Sequence, residues 1–102
     1  MRVTAYRKSP EKYGIYVGKN KDMFRAFAQV KIEIDGHFYE FKIRKSFFDD
    51  CPHIDDSDCV ATGATPIRNW LECHHNIDWK KPDRPPRFQL IHLDGGRFRL
   101  DP

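Results

Sequence analysis

The chain reads as an α+β domain. The sequence predicts a mostly antiparallel sheet of four to six strands, centred on a hairpin over residues 24–43, with one short helix (66–75) packed on one face. Three observations carry this. Asp35-Gly36 separates two alternating runs, 24–34 and 37–43, the signature of a two-residue type I′ hairpin. Thr65-Pro66 opens a stretch in which Ile67, Trp70, Leu71 and His74 recur at helical spacing. A second Asp-Gly pair, Asp94-Gly95, divides 88–93 from 97–100.

Residues 1–102 are expected to form a single domain. With 39% hydrophobic and 14% aromatic residues the chain can fill one core, and a domain of this size buries roughly 60–70% of its unfolded surface. A charged fraction of 32% and a mean hydropathy of -0.75 argue against a membrane chain. The longest uncharged apolar stretch, 59–67, falls far short of the ~20 residues a span needs. No membrane partner is expected, and nothing in the sequence sets the oligomeric state. The N-terminus lacks an apolar leader, and Cys51, Cys59 and Cys73 are an odd number. Reduced thiols and a cytoplasmic location are therefore expected.

Residues 3–7 and 13–17 read as short strands, and 18–22 is a polar turn. The Asp35-Gly36 loop fixes the register of the main hairpin. It places Ile34 opposite His37, Ile32 opposite Tyr39, Val30 opposite Phe41 and Ala28 opposite Ile43, all on one face. The other face pairs Glu33 with Phe38 and Lys31 with Glu40. Ser46 to Asp49 can form one helical turn closed by Pro52, followed by a polar loop over 53–63. Thr65 is placed as the N-cap of the helix with Pro66 at its first position. Its Ile67, Trp70 and Leu71 stripe should dock on the hairpin's apolar face. Residues 80–86 form a proline-rich linker. In the last hairpin a two-residue turn would pair Ile91 with Phe98, and a three-residue turn Leu90 with Leu100.

Charge is unevenly spread beneath a mild net +3. Asp49, Asp50, Asp55, Asp56 and Asp58 form an acidic mid-section. Lys80, Lys81, Arg84, Arg87, Arg97 and Arg99 make the C-terminal part basic. Solvated loops of opposite sign can meet a charged protein partner, and an exposed strand edge can accept a further strand. The leading functional reading is therefore a small non-enzymatic interaction protein. Its contact residues are Asp49, Asp50, Asp55, Asp56, Asp58, Lys80, Lys81, Arg84 and Arg87.

The alternative is a nucleic-acid binder. It uses Arg25, Lys31, Lys42 and Arg44 on the first hairpin with Arg97 and Arg99 on the last, and Phe27 and Phe38 for base stacking. A third reading is a zinc-stabilised domain, because Cys51, His53, Cys59, Cys73 and His74 are all zinc-type ligands. Adjacent residues on a helix point about 100° apart, however, so Cys73 and His74 share one ion poorly. No cofactor is otherwise expected. The histidines at 74 and 75 also suit the negative end of the helix. Catalysis could use Cys51 beside His53, or an aspartate with His53 or His92. No glycine-marked elbow or oxyanion donors accompany them, which favours the non-enzymatic reading.

Overall fold

The computed structural model describes residues 1–9, 12–49, 51–75 and 85–102. Seven strands form one sheet: β1 (Arg2–Ser9), β2 (Lys12–Tyr16), β3 (Gln29–Ile34), β4 (His37–Lys42), β5 (His53–Asp55), β6 (Arg87–Asp94) and β7 (Arg97–Asp101). Their order is β4-β3-β7-β6-β1-β2-β5. Neighbours are antiparallel except β3 and β7, which run parallel. The two ends of the sheet meet. Phe41 of β4 bridges Cys59, a few residues past β5, and the Val60 N–H donates to the Glu40 carbonyl at 2.9 Å. The sheet is thereby curled into a nearly closed barrel.

This corrects the expectation of a four- to six-stranded sheet with one helix on one face. The 24–43 hairpin is not central, since β3 and β4 lie at one end of the strand order and β6 lies in the middle. The physical reason is area. One ten-residue helix cannot cover a seven-stranded face, whereas a twisted sheet that curls covers its own. A second helical segment also appears where a turn is predicted: the 3-10 helix Gly18–Phe24. Gly18 starts it with φ +56°, and Phe24 ends it in the core, 5.1 Å from the ring of Phe98 and 5.2 Å from that of Phe47. Shorter 3-10 turns occupy Lys45–Phe48 and Asp56–Asp58.

The hairpin keeps its predicted register but not its predicted start: β3 begins at Gln29, and residues 24–28 belong to the end of the 3-10 helix and the turn after it, with Ala28 exposed. The β3–β4 register is the one predicted, from Gln29–Lys42 to Ile34–His37. Asp35 and Gly36 both take positive φ, +52° and +84°, as a type I′ turn demands. Val30, Ile32, Ile34 and Phe41 are buried, while Tyr39 and Ile43 are half-buried at the margin. In the last hairpin Leu90 pairs with Leu100, and a bulge between His92 and Asp94 absorbs the extra residue.

The helix α1 spans Pro66–His75 and buries Ile67, Trp70 and Leu71. It packs against β2 and β3, strands far apart in the sheet order, so its stripe fills the space that the curled sheet encloses. Trp70 meets Phe88 of β6 edge-on at 4.8 Å. Val3, Ala5, Ile15, Ile54 and Leu90 complete a single core. No helix among the described residues is long and apolar enough to cross a membrane.

Candidate functional site

Two places concentrate chemistry, and both lie where the barrel closes. The first is the acidic turn that follows β5. Asp55, Asp56 and Asp58 are not solvated: they are 0%, 6% and 5% exposed. Each carboxylate is spoken for by donors the fold would otherwise leave unpaired. Asp55 caps the 3-10 turn, accepting from the Ser57 N–H at 2.8 Å and from the Ser57 hydroxyl. Asp58 reaches back to the Asp55 N–H at 3.0 Å, completing a capping box. Asp56 accepts from the Ile67 and Arg68 N–H groups at 2.9 and 3.0 Å, so a distant carboxylate holds the start of α1. The Thr65 hydroxyl, the predicted cap, faces Asn69 Oδ1 instead.

Arg44, arriving from the end of β4, supplies the cation. Its guanidinium lies 2.7 Å from Asp58 and 3.5 Å from Asp55. Burial pushes the Asp56 carboxyl up to about 6, against the pull of its two amide donors. Burial also raises Asp58, opposed by its hydrogen bond from the Asp55 N–H. Taking charge out of water favours the neutral acid.

His53 and Tyr6 flank this cluster, their rings stacked at 4.2 Å. His53 Nδ1 faces the Cys51 carbonyl at 2.7 Å, an acceptor only, so this nitrogen carries a proton. Nε2 lies 3.0 Å from Arg44 and 3.2 Å from Asp55. Both ring nitrogens are thus engaged with groups other than the Cys51 thiol. Burial is the main cause raising the Tyr6 phenol, with Cys51 next. The arrangement braces β5 against the chain beyond β4. It does not aim a base at a nucleophile, as covalent catalysis requires.

Gly14 makes the close approach possible. A Cβ there would lie 2.3 Å from the Ile54 carbonyl oxygen and 2.7 Å from Asp55 Cβ. Neither Tyr6 nor Gly14 is marked as functional by the sequence. The Asp55…Asp58 spacing was the available signal, since it is that of a capping box.

The remaining sequence candidates are dispersed. Cys51 and Cys59 are half-buried and Cys73 is exposed on α1. His74 bonds Asp35 at 2.8 Å. Among the described residues no three His, Cys, Asp or Glu side chains converge as metal ligands. His92 faces the Gly95 carbonyl at 2.7 Å.

Of the six bases proposed for nucleic acid, four are already paired with acids. Arg25 pairs with Asp22 at 2.6 Å, Lys31 with Glu40 at 3.7 Å and Arg97 with Asp94 at 2.7 Å, besides Arg44. Lys42 and Arg99 are exposed. Asp49 and Arg87 are exposed too. Asp50, Lys80, Lys81 and Arg84 lie outside the described residues.

The second place is the outer edge of β4. A two-residue turn makes Ile34 and His37 a hydrogen-bonded pair, so alternation turns the backbone groups of Phe38 and Glu40 away from β3. Glu40 uses its carbonyl on Val60. Beyond it, Phe38 and Val60 are 44% and 45% exposed. With Tyr39, Glu40, Cys59 and Ala61 they line an open pocket of about 270 Å³. The Arg97 guanidinium sits 5.5 Å from the Phe38 ring. A short strand edge with an apolar shelf beside it can take one more strand.

Comparison with protein-family models, curated proteins and solved structures finds no match.

Proposed function

We propose that this chain is a non-enzymatic binding module that captures an extended segment of a partner protein along the edge of β4. The observation that carries the reading is the edge at Phe38: outward-turned backbone groups beside two exposed apolar side chains, Phe38 and Val60. The incoming strand supplies main-chain hydrogen bonds, and one apolar side chain fills the shelf between them. The internal pairing of Arg25, Lys31, Arg44 and Arg97 weighs against a polyanion as the partner. The saturated His53 ring weighs against catalysis.

A library of displayed linear peptides selected on the intact chain tests this. Selected peptides are expected to share an extended motif with an apolar anchor and to lose at least tenfold in affinity for Phe38→Asp and Val60→Asp (about 1.4 kcal/mol). Peptides that bind both variants as well as the parent, or a selection that yields none, would overturn the reading.

A further inference from the structure

We propose that the segment captured on β4 is the free N-terminus of the partner chain, with an apolar side chain at its first or second residue. This rests on the reading above and adds the chemistry of the occupant. The open edge of β4 is short because both its ends are fixed. At one end is the Asp35-Gly36 turn, where β4 begins. At the other the protein already uses the edge itself: Phe41 bridges Cys59 in antiparallel sense, and the Val60 N–H donates to the Glu40 carbonyl at 2.9 Å.

That bridge sets a register. Counted on from Phe41 and Cys59, Val60 falls opposite Glu40, Ala61 opposite Tyr39 and Thr62 opposite Phe38. The last pair does not form. The chain turns away over 61–64, where the Ala64 N–H donates to the Ala61 carbonyl at 3.1 Å and Gly63 takes φ +80°. Among the described residues no strand pairs with Phe38 on its outer side. The open place on the edge is therefore the one opposite Phe38, in line with Val60 and on the same face of the sheet.

A strand added antiparallel to β4 exchanges both backbone hydrogen bonds of Phe38 with a single residue of its own. The side chain of that residue lies between Phe38 and Val60, both exposed and apolar, so it is an apolar anchor. Such a strand runs in the direction of residues 58–60, and whatever precedes the anchor points back at Val60. At most one residue fits there, beside Tyr39 and Ala61, since the place opposite Glu40 is taken. A chain that continues upstream collides with the seam, whereas a chain that starts there does not.

Charge agrees with this direction. The partner's α-ammonium group arrives where Glu40 stands, exposed and held only by a 3.7 Å pair from one oxygen to Lys31, one strand further in. A strand added parallel would instead bring a C-terminal carboxylate up to Glu40, like charge against like.

Binding of a synthetic hexapeptide library to the full chain, read by fluorescence anisotropy with the dye at the peptide C-terminus, tests this. Each binder is remade with its amine acetylated and with a Gly-Ser-Gly-Ser leader. Binders are expected to carry the apolar residue first or second, to weaken about tenfold on acetylation, and to lose measurable affinity with the leader. Glu40→Gln should weaken the free-amine form about threefold and leave the acetylated form unchanged. Binders that tolerate acetylation and leader but are lost in Phe38→Asp, or that require a free C-terminal carboxylate, would overturn the N-terminal assignment and leave docking at β4 standing. Binders indifferent to Phe38→Asp, or a library that yields none, would overturn both.

Discussion

The β3–β4 hairpin and the Asp55–Asp58 turn lie on opposite sides of the same seam and obey different logic. In the hairpin every partner is found by counting outward from Asp35-Gly36, and polarity tells which side faces water. In the turn, three of the most polar residues in the chain are buried, and each has a partner 11 to 14 residues away, at Arg44, Ile67 or Arg68. The comparison teaches that an acid goes inside when the fold has amide donors or a guanidinium that nothing else will satisfy. Unpaired buried donors cost more than a buried carboxylate that meets them.

Two substitutions sharpen the contrast. Arg44→Ala strips the cation from Asp55 and Asp58. Breaking a fully buried pair costs about 3–5 kcal/mol. With Arg44 a third exposed, solvent screening reduces the expectation to about 2 kcal/mol at neutral pH, read from the urea midpoint. The loss should shrink as pH falls, because the orphaned acids can then be neutral. A pH-independent loss would break the claim that their charge is what Arg44 answers. Gly36→Ala forces a side chain into φ +84°. It should cost about 1 kcal/mol with no pH dependence. A pH-dependent effect there would mean that the two regions are not separable.

The same contrast explains what could be read in advance. The hairpin register, the bounds of α1 and the core residues Val30, Ile32, Ile34, Phe41, Ile67, Trp70 and Leu71 were legible, because Asp35-Gly36 and Thr65-Pro66 act on their immediate neighbours. The parallel pairing of β3 with β7 was not, since no local signal links residues 31–33 to residues 97–99. Nor was closure of the barrel, which depends on where Cys59 and Val60 land after two intervening turns. The acidic stretch reads as solvated loop when hydropathy alone is weighed. Only the capping-box spacing of Asp55 and Asp58 hints otherwise, and nothing local shows that Asp56 would displace Thr65 as the cap of α1. Gly14 looks like any strand glycine until Asp55 is placed beside it.

The docking edge depends on the seam at which the chain after the acidic turn lies against β4. The direct measurement is amide exchange at Val60, whose N–H donates to Glu40 across that seam at 2.9 Å. Protection comparable to that of an amide within the β3–β4 ladder is the expected result. Exchange at the rate of an unstructured amide would mean that the barrel does not close there.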